Sequence, residues 1–389
     1  MTVSVDFDCG VVSTEPQPTA VAPLRGDLPV MAPPLPTTLP LTRLRLTAIA
    51  QADLPLPDYA GSLLRGAFGA ALRRGACMTG LPQCRDCALW RSCPYPAVFE
   101  TPPAPTQFGQ QFSAVPNPYV IEPPPIGLRR VAAGQPLVFH LVLFGEATLR
   151  QLPLIVHAWQ RALRHGLGRE RIGSELVEVA AVLPAAAGGD ELLPVWDADG
   201  ARVHPQRLEQ TALRWPKGAP AELNHLTLQI HTPLRLQHDG HALGPQELSL
   251  RTLLAQLLRR LNLVLDLHCG MRPAPFDAPA LLAAAEAGLR DDRSGLQWKD
   301  WTRYSARQRQ EMTLGGVLGR WTLSGDSAVL AQLWPWLWLG QWLHLGKNAT
   351  MGLGGYRLTW GTDGPAPGLH PCMKESITST AQARKDPAC

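Results

Sequence analysis

An order of structural elements that occurs twice limits this chain to few folds. From Thr42, the run Arg43-Leu44-Arg45-Leu46-Thr47-Ala48 alternates as a half-buried strand does. Asp58 is placed to cap a helix reaching about Arg74, with Leu63, Leu64, Ala67, Ala71 and Leu72 on an apolar side. Leu137 to Phe144 reads as a buried strand and Leu149 to His165 as a helix, which Gly166-Leu167-Gly168 breaks; Ile172 to Leu183 gives another strand. Near Leu223 the series begins again. Leu226, Leu228, Ile230 and Thr232 alternate with Thr227, Gln229 and His231, and Leu248 to His268 forms a long helix pattern. Met312 to Leu323 is strand-like, Asp326 to His344 helical, and Tyr356 to Trp360 a closing strand. No residue-level repeat accompanies this order. The order itself predicts an α+β architecture of two tandem ferredoxin-like units, each an antiparallel sheet with packed helices.

The chain's 389 residues have room for that pair plus tails. Residues 1–40 hold eight prolines and no apolar period, and read as a disordered leader. The first unit is expected over 41–220, with a cysteine-bearing insertion (75–100) and a proline-rich stretch from Pro102 to Pro125. The second is expected over 221–365, with a glycine-rich loop at 344–355, and a disordered tail at 366–389. The start, Met1 to Cys9, has neither basic nor apolar character, so no secretory signal is expected. The longest apolar run, Val329 to Leu345, is interrupted by Gln332, Pro335, Gly340 and Gln341 and is short for a membrane span. The expectation is a soluble, cytoplasmic protein with no membrane partner.

The loop from Leu343 to Tyr356 places Gly346, Gly352, Gly354 and Gly355 beside His344, Lys347 and Thr350. Glycines free a backbone to turn its N–H groups toward phosphate or a nucleic-acid backbone, although a tight turn would use them equally well. Only five of the 36 basic residues are lysine, and arginine forks suit phosphate oxygens. Trp298, Trp301, Arg303, Tyr304 and Arg307 form an aromatic and basic cluster, suited to stacking bases and contacting phosphates or else to packing a core. No nucleotide-binding glycine fingerprint is present.

Cys77, Cys84, Cys87 and Cys93 have the spacing C-x6-C-x2-C-x5-C. Four thiolates complete a tetrahedral shell around a structural Zn2+. The same set suits an iron–sulfur cluster, and spacing does not separate the two. Cys9, Cys269, Cys372 and Cys389 are scattered.

Four stretches together resemble the CRISPR precursor-RNA-processing endoribonucleases of the RAMP superfamily, in a branch with a cysteine-bearing insertion. They are Leu64 to Arg74 with the cysteines and Pro94 to Glu100; Gly166 to Arg171; Trp298 to Gln308 with Met312; and the Leu343–Tyr356 loop. The match spans roughly residues 42–360. The resemblance implies two RRM-like domains that hold CRISPR repeat RNA and cut it once per repeat without a catalytic metal. A ribose 2′-hydroxyl would attack the adjacent phosphorus, leaving a cyclic phosphate and a 5′-hydroxyl. The alternative it leaves open is a non-cleaving RNA-binding subunit among the subunits of a CRISPR effector complex.

That chemistry needs a base, an acid and positive charge. His344 is expected as general acid or base, Lys347 as phosphate stabiliser, and Thr350, Gly346, Gly352 and Gly354 as RNA ligands. The competing expectation is that His344 ends a buried helix and donates to a carbonyl. Some relatives carry a histidine after the first-helix Arg-Gly-x-x-Gly, where this chain has Ala70. Tyr59 and Arg65 are the remaining candidates there, Tyr59 alternatively anchoring the helix start. Arg303 and Arg307 are expected to contact the RNA backbone.

Overall fold

The computed structural model describes residues 36–360 and 364–365, except 104–114, 185–189, 200–201, 217, 222, 273 and 306–309. Most of the expected leader, all of the expected 366–389 tail and Arg307 lie outside the described residues. The first domain comprises β1 (Leu41–Ala50), α1 (Gly61–Ala76), β2 (Tyr119–Glu122), β3 (Pro136–Phe144), α2 (Leu152–His165), β4 (Ser174–Pro184) and β5 (Asp190–Asp197). The second comprises β6 (His225–Leu234), α3 (Leu250–Cys269), α4 (Ala278–Gly288), β7 (Leu289–Ser305), β8 (Gln310–Gly325), α5 (Ser327–Leu343) and β9 (Tyr356–Trp360). The antiparallel sheet orders are β2-β3-β1-β4-β5 and β7-β8-β6-β9. In each, the first four strands follow the ferredoxin-like order second-third-first-fourth, so the chain is a tandem of two such folds.

Period-2 alternation sends Leu44, Leu46, Ala48 and Ala50 of β1 into the first core, each at most 1% exposed. Leu64, Phe68 and Leu72 of α1, and Ile155, Trp159 and Leu163 of α2, recur every four residues and meet that face as helix stripes. Phe68 stacks on Trp159 with ring centroids 5.0 Å apart. In the second domain Ser249 caps α3 by accepting from the Thr252 N–H, and Gly270 ends it in the left-handed region. Helix α5 is buried nearly all round. Its C-terminal Leu343 carbonyl accepts from Arg260 Nε (2.9 Å) and Nη2 (2.6 Å) of α3. This supplies donors to one of the orphan carbonyls at a helix end. No helix among the described residues is long and apolar enough to cross a membrane.

Asp58 does not cap α1. The residue before the helix is Ala60, and Asp58 pairs instead with Arg129 at 3.1 Å. Strand β2, helix α4 and strands β5 and β7 were not expected. β2 is a four-residue edge strand stopped by Pro123, so its surroundings read as a proline-rich connection. β7 pairs with β8 continuously from Leu296↔Gly319 to Ser305↔Gln310, forming a long hairpin from the aromatic and basic cluster. Its mixed, charged composition lacks the β-branched run that marks a strand.

Candidate functional site

Alternation that buries one face of each sheet leaves a polar set on the other. In the first sheet this face carries Arg43, Arg45 and Thr47 of β1, with Arg45 opposite His140 and His140 opposite Glu122. In the second it carries Thr227, Gln229 and His231 of β6. Gln229 lies opposite Arg320 of β8 on one side and Arg357 of β9 on the other. An Arg320–Gln229–Arg357 row therefore crosses this face, with His231 diagonal to Arg357.

The two faces converge. Arg43 Nε donates to Glu122 Oε2 at 2.7 Å, and its Nη1 lies 3.9 Å from Asp190. His344 Nε2, from the second domain, lies 3.5 Å from Glu122 Oε1. Arg357 falls within electrostatic reach of Arg43, Glu122 and Asp190. Burial alone would raise the Glu122 carboxyl, but Arg43 and then His344 hold it well below the usual carboxylate range. Burial and then Arg43 pull His140 down to about 3. His231 is open to solvent on one side, yet the surrounding protein desolvates its ring. That desolvation, with His344 and Arg357, brings it to about 4. Burial lowers Arg357 to about 10, which leaves it cationic at neutral pH.

In the glycine-rich loop the geometry agrees with the competing expectation, that His344 ends a buried helix and donates to a carbonyl. His344 is only 2% exposed, with φ +55°. Its Nδ1 donates toward the Gly352 carbonyl (3.0 Å) and the Leu353 carbonyl (3.2 Å), while Nε2 faces Glu122. Both nitrogens are engaged and the ring is sealed, so this histidine does not reach a ligand in the cleft. Several backbone amides of the loop are also occupied. Lys347 N–H donates to the Arg235 carbonyl (2.9 Å), Gly354 N–H to the Pro233 carbonyl (2.9 Å) and Gly355 N–H to Thr232 Oγ1 (2.7 Å). Gly346, at φ +81°, and Gly352, at φ +85°, pack against backbone of the same chain: a Cβ on either would lie 2.5 Å from the Arg235 or Ile121 carbonyl oxygen, respectively. A Cβ at Gly354 would lie 1.7 Å from the Leu345 carbonyl oxygen, so glycine here permits backbone-on-backbone packing. The loop is a keystone between domains.

Tyr59 supports the same junction. Its hydroxyl donates to the Met351 carbonyl at 2.6 Å, and its ring meets Trp301 of β7 edge-on, with centroids 6.2 Å apart. Burial, followed by Glu122, raises the hydroxyl well above the ordinary tyrosine value, which unfits it as a base. Arg65 lies over the Phe99 ring at 4.4 Å, and Arg65 and Thr350 both border the Tyr119 hydroxyl. Lys347 remains exposed. Trp301 is a packing residue at 7% exposure, whereas Trp298 is 37% exposed and donates through Nε1 to Asp300 Oδ1. Arg303 lies on β7 opposite Met312.

Cys77, Cys84, Cys87 and Cys93 all line one pocket, without disulfides. The Gly80 N–H points at Cys77 Sγ (3.3 Å), Thr79 Oγ1 contacts Cys87 Sγ (3.4 Å), and Cys87 N–H closes a turn on the Cys84 carbonyl (3.1 Å). Their donor chemistry suits a tetrathiolate ion, and they share one pocket. Among the described residues, however, no three His, Cys, Asp or Glu side chains are already arranged to hold one.

Sequence reasoning missed Arg357, Arg320, Gln229, His231 and Glu122 as site residues. The available signal was alternation: every one of the β6 residues facing the cleft had been identified as the polar side of a strand.

Residues 228–356 match the family model described as CRISPR-associated endoribonuclease Cas6, and residues 39–208 match a model described as the AF_1859_N N-terminal domain. No curated protein matches the chain by sequence. Among solved structures, a partial Cas6-RT-Cas1–Cas2 complex has a TM-score of 0.50 at 17% identity, over 87% of this chain and 49% of that one. A fuller form of that complex aligns over 31% of its chain, so this chain spans half or less of these longer polypeptides. A Cas6 product complex (TM-score 0.47, 15% identity) is covered to 98%, with 82% of this chain aligned. Thermus thermophilus Cas6 (TM-score 0.44, 14% identity) is covered to 99%, with 83% of this chain aligned. At these identities the likeness concerns the fold.

Proposed function

We propose that this chain, a CRISPR RNA-processing protein of the RAMP type with a Cas6 domain over residues 228–356, holds repeat RNA between its two polar sheet faces and cuts it once per repeat. The observation that carries this reading is the Arg320–Gln229–Arg357 row on the polar face of the second sheet, with Arg357 in electrostatic reach of Arg43 of the first. Guanidinium groups pair with phosphate oxygens and stabilise the charge that builds on phosphorus during 2′-hydroxyl attack. The products would be a cyclic phosphate and a 5′-hydroxyl, with no catalytic metal. Repeat RNA incubated with the protein in EDTA is expected to give one cut, and a 2′-deoxy substitution at that position to abolish it. Cleavage that survives the substitution overturns the mechanism.

One observation favours a second reading. Two expected catalysts, His344 and Tyr59, are engaged in holding the domains together. A non-cleaving RNA-binding subunit of an effector complex would protect the same RNA and yield no product.

The cysteine pocket is the proposed seat of a structural zinc ion, with an iron–sulfur cluster as the competing occupant of the same thiolates. Elemental analysis of purified protein is expected to find zinc in proportion to chain. Cys84→Ser with Cys87→Ser is expected to lose it and to loosen the insertion. Protein containing neither zinc nor iron would rule out the site.

A further inference from the structure

The geometry points to the His231 imidazole as the proton-accepting group of this cleft, with the Arg357 guanidinium beside it to stabilise the anionic phosphorus centre. The inference rests on the reading that the cleft cuts RNA.

Three histidines approach the junction of the two sheets, and they differ in what they can touch. His344 is sealed beneath the loop with both nitrogens engaged. His140 is half-buried on β3 opposite Glu122. His231 alone of the three is solvent-exposed. The residue facing it across the sheet has no side chain. The His231 backbone N–H donates to the Gly355 carbonyl at 3.1 Å, and a Cβ on Gly355 would sit 3.0 Å from His231 Nε2 and 2.8 Å from His344 Cε1. A side chain there would displace the ring, so glycine keeps the imidazole in place with space above it. The next residue on that face of β9 is Arg357, opposite Gln229, with Arg320 beyond it. A phosphate bound along this row would put its ribose within reach of the imidazole. Because the protein keeps the ring neutral near pH 7, a nitrogen lone pair is available.

The step balances without any further reactant except water. His231 takes the proton from the ribose 2′-hydroxyl as the 2′-oxygen forms a bond to phosphorus. The bond from phosphorus to the 5′-oxygen breaks, and that oxygen takes a proton from water. The products are a 2′,3′-cyclic phosphate and a 5′-hydroxyl. His231 then returns its proton to solvent.

The test compares wild type, His231→Ala and His231→Gln on repeat RNA, by single-turnover cleavage in EDTA and by filter binding. Both variants are expected to cleave about 10²-fold or more slowly, the usual contribution of a positioned base. Both are expected to bind RNA within a few-fold of wild type. Added imidazole is expected to restore part of the His231→Ala rate, which a merely structural role would not allow. Near-wild-type cleavage by either variant overturns the assignment, as does loss of cleavage matched by equal loss of binding. Wild-type protein that binds and protects the RNA without cutting it would overturn the cleavage reading itself, a failure distinguishable from failure of the histidine.

Discussion

Glu122→Ala is expected to cost about 3–5 kcal/mol of folding free energy, the range for removing one partner of a buried charge pair. The carboxylate is the single anion bonded to Arg43 at 2.7 Å, and it faces His344 at 3.5 Å across the domain junction. Arg43 and His344 are 7% and 2% exposed, so neither regains water when the carboxylate goes. Asp190 forms only the longer ion pair with Arg43, at 3.9 Å, and would compensate the loss in part at most. Urea denaturation at neutral pH measures the loss, and a change below about 1 kcal/mol would contradict the ion network's role. The sign of the pH dependence follows from the depressed carboxyl. Its contribution is fully present above the unfolded carboxylate pKa, about 4.3, and is lost as pH falls through its lower folded value. Wild type and variant should therefore converge in stability toward strong acid.

Gly354→Ala should be comparably damaging for a reason unrelated to charge. Gly354 has φ +73°, and its new methyl would meet the Leu345 carbonyl oxygen at 1.7 Å. Relief requires opening the Leu345 N–H to Gly354 and Gly354 N–H to Pro233 hydrogen bonds, which close the loop. A control separates the two penalties. Gly134 has the same φ, +73°, but nothing lies within 4 Å of an added Cβ. Gly134→Ala should cost only the conformational strain, about 1–2 kcal/mol. Gly354→Ala should lose several kcal/mol and repeat-RNA binding with it. Equal thermal shifts for the two variants would mean that the loop yields without cost.

The tandem fold was legible because both halves write their strands in period 2 and their helices in every-fourth-residue stripes, as in Leu44/Leu46/Ala48 and Leu64/Phe68/Leu72. The site was less legible. Arg43 and Arg45 were visible as the polar side of a strand, but only the packing of two sheets decides that this side meets Arg357 rather than bulk water. Glu122 sat in a short strand masked by prolines, which remove the pattern that announces a strand. The glycine loop left two readings open for a physical reason: composition reports where a backbone can come close, not to what. Here the close neighbours are Leu345, Arg235 and Pro233 of the same chain.

The second core extends into the first domain, taking in Leu39, Leu41, Val120, Val142 and Phe144. Tyr59 grips Met351 with its hydroxyl and Trp301 with its ring. Jaws joined by shared hydrophobic packing and riveted at a tyrosine keep a constant gap. Under the proposed function, an RNA guest would then have to bring the bending itself, and selectivity would turn on which strand can take up the shape the two joined domains present.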